Sequence, residues 1–337
     1  MRLFSLIACA LLLAASPCLA GDTSTTVKSR GLVRCGVASD VPGFAVRDAS
    51  GRWAGLDVDF CHAVAAAVLG DPAKVSFLPL ATSARFTALM AREVDLLSRN
   101  TTWSLSREAM LGVEFSGPML FTGLAFMVPA MAAGGGLKGL DGATVGAVRG
   151  TTHVQNLDEM AVTHGMRFKI VLYDSVEQAR DAFFAGQCQA LSEDAVLLAA
   201  FRSQAPGGPD EYTILPERLS KEPISPAVLR GDAQWSLTVK CVLAALITAE
   251  ECAITREAAA NGVTPSSNPA GALFLRRADA LAKPLGLEPG WALRAIRAVG
   301  NYGEIYERNL GSGSPLKLER GVNRLWSRGG LLFAPPF

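Results

Sequence analysis

From residue 31 onward, short runs rich in Val, Leu, Ile and Phe alternate with longer stretches whose apolar positions recur at helical spacing. Residues 32–37, 74–78 and 94–97 read as strands. Residues 57–68 and 83–91 read as helices, the second opened by Thr82 or Ser83 as its cap. A second unit of the same kind follows. Its predicted strands are 123–128, 144–148, 168–172, 189–191 and 212–215, with a helix over 175–184 and loops over 130–139 and 206–209. Residues 223–229 are expected to carry the chain back to the first unit. Helical patterns dominate from Trp235, and the stretch 301–337, rich in Gly and Pro, is expected to wrap the surface. Alternating strands and helices predict mostly parallel sheets flanked by helices. Ligands of such sheets bind beyond the carboxyl ends of the strands, and the segment from Asn100 starts at one of those ends.

The N-terminus breaks this alternation. Met1-Arg2 precedes an almost purely apolar run from Leu3 to Ala15, and Cys18-Leu-Ala20 places small residues where a cleavage site needs them. This is the pattern of a secretory signal peptide over residues 1–20, too short for a spanning helix of roughly 20 apolar residues. Its removal takes one arginine from the 32 basic side chains, which then equal the 31 acidic ones, and shortens the 337 residues to 317. A near-neutral protein has no electrostatic reason to seek nucleic acid or an anionic membrane. A chain of that size suggests two lobes.

Five cysteines remain: Cys35, Cys61, Cys188, Cys241 and Cys252. In an oxidising compartment pairing is expected, and an odd count leaves one thiol over. Cys35 on a strand and Cys61 on the next helix are candidates to approach each other. Cys241 and Cys252 pair only if the helix between them breaks. None has metal-ligand spacing with a histidine, and no cofactor motif survives its context test. Gly134-Gly-Gly136-Leu-Lys-Gly139 has dinucleotide spacing but leads into a turn and strand rather than a phosphate-binding helix.

The candidate chemistry lies in two segments. Asn100-Thr-Thr-Trp-Ser-Leu-Ser-Arg107 offers a cation and hydroxyls. Val145-Gly-Ala-Val-Arg-Gly-Thr-Thr152, followed by Leu191-Ser-Glu-Asp194, offers hydroxyls and an anion. A free amino acid needs that set for its carboxylate and its ammonium. Arg107 can form two parallel charge-assisted bonds to a carboxylate, and Asp194 can face an ammonium. The bland alternatives are a solvated Arg107, an Asp194 that only caps the helix after it, and a Thr152 that does the same. Glu193 is expected to be exposed.

Several stretches resemble the polar amino-acid-binding proteins of ABC importers, most closely the general L-amino-acid-binding branch. They are Gly55-Leu-Asp-Val-Asp-Phe-Cys61, Arg85-Phe-Thr-Ala-Leu, Asp95-Leu-Leu-Ser-Arg-Asn-Thr-Thr-Trp-Ser-Leu-Ser-Arg107, Gly150-Thr-Thr152, Ser220-Lys-Glu-Pro-Ile-Ser-Pro-Ala-Val228 and Val299-Gly-Asn-Tyr-Gly-Glu-Ile-Tyr-Glu-Arg-Asn309. The resemblance implies an α/β, two-lobed periplasmic-binding-protein fold, type II-like, with a mostly parallel sheet in each lobe and a two-segment hinge. Lobe 1 would comprise 21–121 and 227–337, with a C-terminal helical extension, and lobe 2 would comprise 122–226. It implies a monomer in the periplasm that closes on a free L-amino acid and presents it to a membrane permease.

By the same resemblance Arg107 grips the α-carboxylate, with Asn100 and Thr102 beside it. Thr152 adds a hydroxyl from lobe 2, and Asp194 receives the α-ammonium. The side-chain pocket is expected to be lined by the loop Ser39-Asp-Val-Pro-Gly-Phe44 with Phe44 and Trp53. Asp40 would favour basic ligands if it faces inward, and His153 stands next to the ligand. The rival from another class is a periplasmic cyclohexadienyl dehydratase on the same scaffold, which needs a general acid in the cleft. Glu193 and His153 are the candidates for that acid.

Overall fold

The computed structural model describes residues 23–337; the leader assigned to residues 1–20 lies outside the described residues. Two five-stranded sheets organise the chain. In the first, the spatial order is Val75–Pro79, Val33–Val37, Leu96–Leu97, Ala227–Leu229, Val113–Phe115, and the first three strands run parallel. Ala227–Leu229 runs antiparallel to both its neighbours. In the second, the order is Lys169–Tyr173, Thr144–Val148, Ala190–Asp194, Leu124–Pro129, Tyr212–Ile214. There too the first three are parallel, and Leu124–Pro129 opposes its neighbours. Helices flank both sheets, so the chain is an α/β protein of two lobes as expected.

The helix Leu56–Leu69 shows how the sequence builds the first lobe. Gly55 precedes it at φ 137°, and a Cβ there would stand 2.0 Å from the Phe44 carbonyl oxygen, so only glycine fits. Gly70 ends it in a left-handed cap whose N–H bonds to the Ala66 carbonyl. The Ala-rich surface between lets the helix Trp291–Val299 and the helix Ala233–Glu251 pack closely against it. Cys61 on this helix is disulfide-bonded to Cys35 on the strand Val33–Val37. The helix Ala233–Glu251 is unbroken, and Cys188, Cys241 and Cys252 are free thiols.

Two passages join the sheets. Leu120–Thr122 and Glu222–Ile224 pair antiparallel, with Phe121 opposite Pro223. The C-terminal stretch runs largely exposed from residue 311, but its start departs from the expected surface wrap. Asn301 caps the helix Tyr302–Asn309 in a reciprocal capping box, and Tyr302 and Tyr306 are buried in the core. Tyr302 donates its hydroxyl to the Met119 carbonyl at 2.6 Å. Asn323 accepts from the Phe121 N–H at 2.6 Å and donates to the Phe121 carbonyl at 2.9 Å. Within this Gly- and Pro-rich stretch, the Asn323 amide therefore anchors the tail on a joining strand. Among the described residues no helix is long and apolar enough to cross a membrane.

Candidate ligand-binding site

Beyond the end of Leu96–Leu97 the chain turns sharply, and Asn100 adopts φ 42°, which non-glycine residues rarely do. Asp57, in the first turn of Leu56–Leu69, holds that turn. Its buried carboxylate accepts from the Ser98 hydroxyl at 2.9 Å and from the Asn100 N–H at 3.1 Å. Burial pushes its pKa up to about 7, against these two bonds and the nearby Arg99 cation. The arginines of this side are tied to backbone and hydroxyl oxygens. Arg99 donates to the Leu80 carbonyl at 2.8 Å and the Thr82 hydroxyl at 2.9 Å.

Ser104 caps the helix Leu105–Leu111 by accepting from the Arg107 N–H. Arg107 donates from Nη1 to the Thr102 carbonyl at 2.8 Å. Its Nη2 reaches the Gly150 carbonyl of the second lobe at 3.3 Å, as Arg85 Nη2 does at 3.4 Å. Burial, and for Arg85 the repulsion of Arg107 and Arg99, lowers the pKa of these guanidinium groups.

The second lobe supplies the acids. After the left-handed Gly150 the helix Thr152–His164 begins. Thr151 occupies the cap position without a side-chain cap bond, and Thr152 instead donates to Glu222 Oε2 at 2.8 Å. Glu222 also accepts from Asn156 and Ser220, and against burial the His153 charge and the Thr102, Ser220 and Thr152 hydroxyls keep its pKa low. Asp194 stands at the cap of Ala195–Ser203 but makes no cap bond, so the bland reading of Asp194 fails. Its Oδ2 accepts from Asn100 Nδ2 at 3.4 Å. Glu193, expected at the surface, is 3 % exposed, because every position of Ala190–Asp194 is covered.

His153 lies between the two acids, with Nδ1 3.1 Å from Glu193 Oε1 and Nε2 3.5 Å from Asp194 Oδ1. Neither contact has the direction of a hydrogen bond, and Asn100 Oδ1, Glu193 Oε2 and Asp194 Oδ1 are likewise buried without a partner. Burial works to neutralise the ring, but the two carboxylates outweigh it and raise the pKa well above 6.5. Burial pushes Asp194 up while His153 pulls it back. The three side chains are close enough to suggest a metal, with their ligand atoms within 4.8 Å of one another. Yet each ring nitrogen faces a different carboxylate, which suits a doubly protonated imidazolium rather than one ion.

These groups enclose a cavity of about 20 Å³ between the lobes, room for about one water. Asn100, Thr102, Arg107, Thr152 and Asp194 all line it. Phe44 does not. It is fully buried in the core, because the bridge Val41↔Ala45 turns its side chain inward, and Ala38 and Val41 take its place at the cavity. Trp53 packs on Phe77 at 5.8 Å instead. The Asp40 side chain is 62 % exposed and 4.0 Å from Arg180, so it does not face inward and gives no preference for basic ligands. Sequence reasoning gave no role to Arg85 and Arg99, although both lie within the quoted stretches Arg85-Phe-Thr-Ala-Leu and Asp95–Arg107.

The chain matches the model of the bacterial extracellular solute-binding proteins, family 3, over residues 33–312. It is 42% identical over 332 residues to the general L-amino acid-binding periplasmic protein AapJ of Rhizobium johnstonii, covering 98% of this chain and 97% of that protein. It is 40% identical over 316 residues to the glutamate/glutamine/aspartate/asparagine-binding protein BztA of Rhodobacter capsulatus, covering 94% and 93%. Among solved structures, a periplasmic binding protein of an ABC transporter from Brucella ovis, with glutathione bound, superposes with a TM-score of 0.87 at 39% identity. That superposition covers 94% of this chain and 99% of the other.

Proposed function

We propose that this chain, which belongs to the bacterial extracellular solute-binding proteins, family 3, captures free L-amino acids in the periplasm for the permease of an ABC importer. The observation that carries the reading is the convergence of Arg107 from one lobe and Asp194 from the other on a single buried cavity. A zwitterion satisfies both charges at once only when the lobes meet, so binding favours closure. The lobes are 21–121 with 227–337 and 122–226, and the pair Leu120–Thr122 and Glu222–Ile224 is the hinge. A cavity near 20 Å³ is too small for any amino acid, so the lobes must part for entry. The protein acts as a monomer and performs no chemistry.

Three buried guanidinium groups exceed what one α-carboxylate needs. Ligands with a second carboxylate or a side-chain carbonyl, glutamate and aspartate above all, match that excess. A thermal-shift screen of the protein without residues 1–20 against the twenty L-amino acids and their decarboxylated amines tests this. A ligand at about 100 times its dissociation constant adds roughly 2.7 kcal/mol. Stabilisation by acidic amino acids and not by amines is expected, and a flat screen sinks the reading.

One observation favours the dehydratase reading: His153 and Glu193 both line the cavity. Against it, the His153 ring stands 3.1 Å from Glu193 and pairs with that carboxylate as an ion. Formation of aromatic product from arogenate or prephenate would nonetheless install it.

A further inference from the structure

We infer that capture of an amino acid by this chain releases a proton from His153, whose imidazolium holds the pair of carboxylates that the ligand's ammonium must use. The inference rests on the function proposed above and adds a residue that the zwitterion clamp does not require. His153 is 2 % exposed, with Nδ1 3.1 Å from Glu193 Oε1 and Nε2 3.5 Å from Asp194 Oδ1. A neutral imidazole carries one N–H and one lone pair, so it would turn a lone pair on one carboxylate; only the imidazolium sets a positive charge between the two. The protein thus keeps an internal cation at the ammonium's anchor.

The charges around that ring fix the direction of the effect. Glu193 and Asp194 face it from the strand Ala190–Asp194, and the field of His153 reaches Glu222 on the hinge strand Glu222–Ile224. Arg85, Arg99 and Arg107 line the same cavity from the first lobe, and Asp57 and Glu177 act on Arg99. No further carboxylate lines the cavity. An ammonium at Asp194 is therefore a second cation beside the imidazolium, in a cavity that three arginines already line. Like charges that close disfavour the charged form of each other. The ligand ammonium has the higher intrinsic basicity, so the proton leaves from His153. Glu193 and Asp194 then hold the ammonium, and the neutral ring keeps one N–H for Glu193.

The linkage has a definite sign. The two carboxylates raise the His153 pKa above its ordinary value. With the ring held as an imidazolium between its two carboxylates in the free protein, a binding event that expels one proton strengthens about tenfold for each unit of rising pH. Between pH 6 and 8 the α-ammonium and carboxylates of a free amino acid do not titrate. Asp57 does titrate there and is the background to subtract.

The experiment is calorimetric titration of the protein with L-glutamate, and then with the other L-amino acids, in buffers of different ionisation enthalpy at pH 7. Near one proton released per ligand is expected, with affinity rising about tenfold from pH 6 to 7. His153→Gln keeps the size of the side chain and cannot titrate, and its binding heat should be independent of buffer. Buffer-independent heat in the wild type, proton uptake, or equal release from His153→Gln overturns the inference. Where that variant fails to fold, the ring nitrogen shifts of His153 in labelled wild-type protein decide. They should move from imidazolium to neutral on saturation, and no movement overturns the inference. Failure of every amino acid to bind at any pH overturns the capture reading itself, an outcome distinct from binding without proton release.

Discussion

The two halves of the cavity are built on opposite terms. On the first lobe Arg99 is bonded to Leu80 and Thr82 and Arg107 to Thr102, while Arg85 reaches across to the Gly150 carbonyl. On the second lobe His153, Glu193 and Asp194 are buried with atoms that find no directed partner. Buried unpaired polar groups are costly, whereas backbone-tied cations are already in position. The cationic half is therefore pre-formed, and the anionic half is completed by what binds. Under the proposed function, a lobe that anchors the carboxylate gains from rigidity, and the lobe carrying Asp194 gains the most from an incoming ammonium.

Removing the cation should break this division most deeply. Arg107→Ala is expected to weaken binding several hundred-fold or more, since truncating one member of a buried charge pair costs about 3–5 kcal/mol. Its melting temperature should change little, because the bond to the Gly150 carbonyl spans the lobes rather than a core. Calorimetry on the variant checks this, and unchanged affinity would remove the clamp.

The support behind the arginines gives the next effect. The Asp57 pKa stands at about 7 in the folded protein, raised by burial above the roughly 3.9 of an unfolded chain. The proton thus favours the folded state: that stability is present at pH 4 and is lost as pH rises through 7. Relative to Asp57→Asn, the wild type should lose up to about 4 kcal/mol between pH 4 and 8. Urea midpoints across that range measure it, and a constant difference would show that Asp57 stays ionised throughout.

The Cys35–Cys61 bond sharpens the contrast further, since it braces the first lobe while the thiol of Cys188 in the second is free. Cys35→Ser with Cys61→Ser should lower stability by about 3 kcal/mol, as expected for a closed loop with a sequence separation of 26. Chemical unfolding of both proteins checks the loss. Affinity for a ligand should hold, because the cation geometry depends on Asp57 and the backbone carbonyls.

How much of this was legible in the sequence follows the same division. The alternation of strand and helix placed the Asn100 segment, Thr152 and Asp194 at strand ends, the family resemblance singled out Thr102 and Arg107, and all five line the cavity. Phe44 failed because a tight turn shows no period, so nothing said which side its ring takes. Arg85 and Arg99 were missed because arginine is normally solvated, and only the fold reveals the carbonyls that let them be buried. Glu193 was misread for a similar reason. Alternation assigns one face of a strand to solvent, but a central strand with helices on both faces has no such face. Asp57 looked like an ordinary acid in a first helical turn.

The smallest expected effect tests whether the anionic half is as unfinished as it looks. Thr152 was expected to serve the ligand, yet its hydroxyl is already spent on Glu222 at 2.8 Å, beside Asn156 and Ser220 on the same carboxylate. A ligand that takes this hydroxyl must break that bond, so it exchanges one hydrogen bond for another. Thr152→Val should then weaken binding by only about 1 kcal/mol, roughly fivefold, and Thr152→Ser should restore it. A loss as large as that of Arg107→Ala would mean that Glu222 releases the hydroxyl in the closed complex. The hinge strand carrying Glu222 would in that case take part in recognition, and the second half of the cavity would extend to the hinge.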